Sequence, residues 1–190
     1  MIIFGKPGRE HTEETITIAL NKAIELNCPI VIATYTGSSA HQLFEKARHM
    51  GYNNQIVAVR TASTAAKGGV NPMPWETKKT LERDGVIVVT AAHALSAGER
   101  GISSRSKGIY PLEIMADTLR TLGQGTKVCF ECAVMALDAD AILFGQPVVA
   151  LGGTGGGQDT ALVITPSYSS SIMETKIHEI LCKPGFYPEE

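Results

Sequence analysis

The stretch Ile30 to Arg48, IVIATYTGSSAHQLFEKAR, constrains the fold of this chain more than any other. It opens with an apolar run, Ile30 to Ala33, passes through the polar turn Thr34-Tyr35-Thr36-Gly37-Ser38-Ser39, and continues with a helical pattern. Ala40, Leu43, Phe44 and Ala47 share one face of that helix, and Glu45, Lys46 and Arg48 lie off it. A short apolar run feeding a helix predicts a strand of a parallel sheet, buried on both faces. The turn then falls at the carboxyl end of the strand and the amino end of the helix. The first N–H groups of a helix have no internal partner, and the macrodipole places partial positive charge there. Four hydroxyls and a glycine at that point predict a cradle for a phosphate or other small anion. Ser and Thr are also ordinary caps and Gly an ordinary turn residue, so the junction alone serves equally as plain structure.

The rest of the chain repeats the alternation. Ile2-Ile3-Phe4 is a short strand, followed by the loop Gly5 to His11 and a helix that starts at Thr12-Glu13-Glu14-Thr15 and ends before Asn27-Cys28-Pro29. With the strand at Ile30 this makes a βαβ unit, whose crossover is right-handed. Gln55 to Val59 is a third strand, Trp75 to Arg83 a helix and Val86 to Val89 a β-branched strand. The runs Arg60 to Pro74 and Thr90 to Lys107 have no clear period and read as long loops that order on ligand binding. Such loops sit at strand carboxyl ends, where open α/β sheets hold their ligands. Ile109 to Leu122 is a helix, and Lys127 to Leu143 reads as a buried helix, with a strand at its start as the alternative. Val148 to Leu151 and Ala161 to Thr165 flank the run Gly152 to Gly157 as a long hairpin. Lys176 to Cys182 is a last strand or a short helix, and the tail Lys183 to Glu190 reads as loose. The expected fold is a three-layer α/β/α domain spanning 1–190, with a mostly parallel sheet and an antiparallel C-terminal hairpin.

Composition narrows the partners. A net charge of −2 over 190 residues gives no electrostatic footprint for nucleic acid or an anionic membrane. No apolar run approaches the roughly 20 residues that span a bilayer, and MIIFGKPGRE is too short in its apolar part for a signal peptide. A cytoplasmic location is expected, with the four cysteines as thiols.

The remaining motifs are individually weak. The Gly152–Gly157 run has no Gly-Lys-Ser/Thr and leads into a strand; it is either a flexible hairpin tip or a side-chain-free loop whose N–H groups approach an anion. Cys129-Phe130-Glu131-Cys132 sits in apolar surroundings and reads as core rather than as a redox or zinc motif. The five histidines show no metal spacing, and His93, in a loop after a strand, is the one best placed for a ligand. Ser38, Ser39 and Ser96 lack the frame of a nucleophile elbow. Arg60, Arg100 and Arg105 fall in the irregular runs, where a guanidinium suits phosphate.

Two stretches together resemble the C-terminal domain of pyruvate kinase. IVIATYTGSSAHQLFEKAR is similar to its phosphate-gripping strand–turn–helix, and VVALGGTGGGQDTALVI to the hairpin whose glycine tip closes over a sugar bisphosphate effector. The whole chain, with KPGREHTEET near its start, looks like a stand-alone prokaryotic family related to that domain. The resemblance implies a phosphate-bearing small molecule held by Thr34, Thr36, Gly37, Ser38 and Ser39 and closed over by the Gly152–Gly157 tip, with Gly153, Thr154, Gly155 and Gly156 as its candidate residues; His93 and Arg100 join the candidate site from the reading of the loops. FMN or a sugar phosphate is the implied ligand, and a homo-oligomer the implied assembly. Gln158-Asp159-Thr160 stands where the kinase tip has Thr-Asn-Thr, which puts the sugar effector itself in doubt. The kinase's catalytic barrel has no counterpart, so its phosphoryl transfer is not expected. Two other readings remain: an oligomerising or partner-binding domain with no small ligand, and a thiol-disulfide protein using Cys129 and Cys132. On the cradle reading, Gly37→Val weakens phosphate binding and leaves the fold intact.

Overall fold

The structure, a computed structural model, describes residues 1–63 and 68–186. Seven strands form one sheet in the order β1-β7-β6-β5-β2-β3-β4. The strands are β1 (Ile2–Phe4), β2 (Ile30–Thr34), β3 (Ile56–Arg60), β4 (Ile87–Thr90), β5 (Val148–Gly152), β6 (Thr160–Thr165) and β7 (Lys176–Pro184). The helices are α1 (Thr12–Leu26), α2 (Ser38–His49), α3 (Trp75–Arg83), α4 (Ala97–Ser106), α5 (Pro111–Arg120) and α6 (Gln124–Asp138). β5, β2, β3 and β4 run parallel, as do β1 and β7. β6 is antiparallel to both of its neighbours. The fold is therefore α/β with a mostly parallel sheet and the expected antiparallel hairpin near the C-terminus.

The pleat divides the apolar residues between two cores. Ile30 and Ile32 of β2, with Val149 and Leu151 of β5, pack under α1 and α2 around Ile16, Leu20 and Leu43. Val31, Val57, Val148 and Ala150 face the other way, against α6 and Ala116 of α5. Because both faces are covered, the central strands carry near-continuous apolar runs, the sequence signature of parallel strands in an open sheet.

Four expectations change. The run Thr90–Lys107 is not irregular throughout, because α4 occupies Ala97–Ser106. Its apolar face is poor, so periodicity did not reveal it; instead the His93 carbonyl accepts the N–H of Ala97 at 3.0 Å and Glu99 receives the N–H of Leu112 at 2.9 Å. The buried helix begins at Gln124 and ends at Asp138, not at Leu143, and Asp140 takes a left-handed backbone, φ 54°, which turns the chain away. The tail is not loose at Lys183 and Pro184, which belong to β7 and pair with Ile3 and Phe4; residues 187–190 lie outside the described residues. The run Arg60–Pro74 includes 64–67, also outside them, but its end is anchored. Asn71 donates to the Thr61 carbonyl at 2.6 Å and accepts the N–H of Met73, a buried residue. Among the described residues no helix is long and apolar enough to cross a membrane.

Candidate functional site

The carboxyl ends of β2, β3 and β4 lie side by side, and beyond them opens a cleft of about 510 Å³. Its floor is Ala33, Thr34, Val59 and Arg60 from the strand ends. One wall is Gln124, Lys127, Val128 and Glu131 on α6. His93, Ala97 and Arg100 close another side, and Gly153, Gly156, Gly157 and Gln158 form the rim. Ligands of open α/β sheets bind beyond the carboxyl ends of the strands where the connections part, and here β2 leads to β3 on one side while its neighbour β5 leads to β6 on the other.

The turn after β2 and the glycine loop between β5 and β6 meet in this cleft. Gln158 Nε2 donates to the Ala33 carbonyl at 2.9 Å and to Ser39 Oγ at 3.3 Å. Of the residues expected from sequence, Thr34, Ser39, His93, Arg100, Gly153 and Gly156 line the cleft; Thr36, Gly37, Ser38, Thr154 and Gly155 lie off its lining. Gly37 is turned away from it. With φ at 97° it needs the left-handed backbone, and an added Cβ would lie 2.5 Å from Thr77 Cγ2 and 3.5 Å from Met73 Cε. The glycine is required by packing against α3, so Gly37→Val disturbs the fold rather than binding alone.

Two hydroxyls of the turn already have protein partners. Thr34 Oγ1 accepts the Gly37 N–H at 3.1 Å and lies 3.3 Å from Ser39 Oγ. The glycine loop is similarly occupied. Asp159, fully buried, accepts the N–H groups of Gly8 and Thr154 at 3.2 Å each and the hydroxyl of Thr160 at 2.9 Å. Burial pushes the Asp159 carboxyl up from its ordinary value, against the opposing Thr160 and Gly8 hydrogen bonds. A Cβ on Gly157 would strike Arg9, and one on Gly153 would strike the Gly157 carbonyl. Thr12, the first residue of α1, accepts the Gln158 N–H at 3.0 Å. The segment Gly8–Thr12 and the glycine loop thus form one locked unit. Within it Gln158 Oε1 and Thr154 Oγ1 are buried without a hydrogen-bond partner among the described residues.

The cleft's strongest electrostatic feature is a charged chain on α6. Glu131 is 3% exposed, and its Oε2 is hydrogen-bonded by Lys127 Nζ and lies 3.1 Å from His93 Nδ1. Its Oε1 accepts the Leu95 N–H at 3.0 Å. Burial raises the Glu131 carboxyl, but the His93 hydrogen bond and the Lys127 ammonium outweigh it and hold the group at about 2. Glu131 is therefore ionised. Lys127 and Glu131 were missed in the sequence, where their helix looked apolar on most sides. The available signal was their i,i+4 spacing inside a run of buried residue types, where an acid or a lysine is rare unless paired.

The cysteines of the same helix are not poised for redox work. Burial pushes the Cys132 thiol up to about 12, helped by the Glu131 charge, and raises Cys129 well above its ordinary value. Thiols held protonated are poor nucleophiles. Among the described residues no group of three His, Cys, Asp or Glu side chains is placed to hold a metal ion. No protein-family model matches the chain.

Proposed function

We propose that this protein binds a small phosphate-bearing ligand in the cleft at the carboxyl ends of β2, β3 and β4. The observation that carries the reading is charge: the lining holds Arg60, Arg100, Arg120 and Lys127 against one carboxylate, Glu131, in a chain of net charge −2. Glu131 is already paired with Lys127, and Arg100 and Arg120 lie beside Glu113 and Asp117; with those carboxylates counted, Arg60 leaves the cleft with a net positive charge. The volume of about 510 Å³ lies within the roughly 300–1,000 Å³ of small-molecule sites. The anion contact moves from the backbone of the Thr34–Ser39 turn, as expected from sequence, to the guanidinium groups above it, since the hydroxyls of Thr34 and Ser39 are engaged. Kinship with the pyruvate kinase C-terminal domain is part of the same proposal.

FMN suits the donor set. Arg60, Arg100 and Arg120 would take its phosphate, and Tyr35, Val59 and Met135 offer apolar area to a ring system. Bound flavin would supply redox chemistry, and the chain would supply binding and orientation. The test is a titration of FMN against riboflavin, followed by flavin fluorescence. A phosphate held by charge-assisted contacts adds ~1.5–3 kcal/mol, roughly ten- to a hundredfold in affinity; equal affinities overturn the reading.

A homo-oligomer accompanies this proposal. Phe144 and Tyr168 stack at 5.4 Å, and Leu143, Phe144 and Met173 are largely exposed. Light scattering that gives a monomer mass of 20.3 kDa removes the oligomer.

A further inference from the structure

We infer that His93 is the proton-accepting group of the cleft, with its Nε2 lone pair presented to the bound anion and Glu131 as its positioning residue. The inference rests on the anion site proposed above and adds a role to it. Glu131 is buried and accepts three hydrogen bonds, from Leu95 N, Lys127 Nζ and His93. An ionised carboxylate can only accept, so the ring nitrogen facing it, Nδ1, carries the hydrogen. In the neutral ring the other nitrogen, Nε2, is then the base, since which nitrogen is free is set by the bond the other one makes. The loop is held as firmly as the ring. The His93 carbonyl accepts the N–H groups of Ser96 and Ala97 at 3.3 and 3.0 Å, at the start of α4. The His93 side chain is 42% exposed and lines the cleft, whereas Glu131 is 3% exposed behind it.

The surrounding charges give the role its direction. Arg60 at the end of β3, Arg100 on α4, Arg120 on α5 and Lys127 on α6 share the cleft with His93 and oppose a further positive charge. Glu131 favours one. The other titratable groups on the lining are Tyr35 and Cys132, and burial keeps the thiol protonated. A phosphate monoester dianion reverses the balance: its two negative charges meet the arginines and leave room for an imidazolium. The proton comes from solvent and ends on Nε2, with no bond to the ligand made or broken. The site thereby selects a dianion together with a proton.

Two measurements test this. In nitrogen-15 NMR of the ligand-free protein, the neutral His93 ring is expected to show a protonated Nδ1 and a bare Nε2. The opposite tautomer overturns the inference. Calorimetric titration of FMN at about pH 7.5, where the phosphate is mostly dianionic because its second ionisation lies near ~6, is then run in buffers of different ionisation enthalpy. Wild type is expected to take up a measurable fraction of about one proton per FMN, and His93→Gln to lose that uptake. FMN binding with the same proton uptake in both proteins overturns the inference and leaves the anion site standing. Absence of FMN binding overturns both. Glu131→Gln strands Lys127, so Lys127→Met/Glu131→Gln is the companion variant; it is expected to release His93 from the Nδ1–H tautomer.

Discussion

Gln158 reaches across 125 positions of sequence to donate its amide N–H to the Ala33 carbonyl at 2.9 Å. This bond ties the glycine loop between β5 and β6 to the end of β2. It also sets the amide's orientation, because the carbonyl oxygen of Ala33 can only accept. Gln158 Oε1 therefore points elsewhere, buried and without a partner among the described residues.

Removing this tie is expected to cost stability. Gln158→Ala removes the amide donor from Ser39 Oγ and from the Ala33 carbonyl, which retains the Ser39 hydroxyl at 3.4 Å, a loss of ~0.5–1.5 kcal/mol. For a chain of this size that is a fall in Tm of about 2–4 °C per kcal/mol. A thermal melt unchanged from wild type would show that the loop is held by Asp159 and by the Gln158 N–H bond to Thr12.

Gly37 is expected to be a folding position. Its φ of 97° and the approach of Thr77 leave no room for a side chain, and an alanine held in that region costs ~1–3 kcal/mol. Urea unfolding of Gly37→Ala should show a lower midpoint. An unchanged midpoint would mean that α3 moves aside freely.

Arg100 is expected to affect binding and not folding. Its side chain is 60% exposed and lies 3.9 Å from Glu113, so its loss should alter stability by no more than about 0.5 kcal/mol. Arg100→Ala is expected to weaken FMN roughly ten- to a hundredfold while leaving riboflavin unaffected. Equal losses for both ligands would place the guanidinium away from the phosphate.

Glu131 predicts an acid-labile cleft. Its carboxyl is held at about 2, below its ordinary 4.5, so the folded state prefers the ionised form. That preference stabilises the protein above about pH 4.5 and is lost as the pH falls toward 2. Denaturation profiles across this window should fall more steeply for wild type than for Lys127→Met/Glu131→Gln. Parallel profiles would mean that other carboxylates govern acid unfolding.

Much of the architecture was legible from local pattern. The apolar runs at Ile30, Ile56 and Val148 and the 3.6-residue period of Thr12–Leu26 are enforced by nearest neighbours along the chain, and the strands and helices stand there. The meeting of the Thr34–Ser39 turn with the glycine loop was expected only through resemblance, since no local rule brings residues 39 and 158 together. Helix α4 was missed because its residues have little apolar face, and its ends are held by bonds to distant groups such as Leu112.

The chemistry of the cleft was settled by packing in three dimensions. Sequence showed hydroxyls and glycines at both bends but not that Thr34 and Ser39 bond each other, that Gly37 and Gly157 are small because other chain segments press on them, or that Gly153 is small because its own loop folds back on it. Lys127 and Glu131 looked like interruptions in an apolar helix until His93, 38 residues before Glu131, was set against them. The reason is range. Periodicity and turn chemistry act over a few residues, so they are written in order along the chain. A carboxylate's ionisation, a histidine's tautomer and the sign of a pocket's field depend on whichever groups folding brings within a few ångströms.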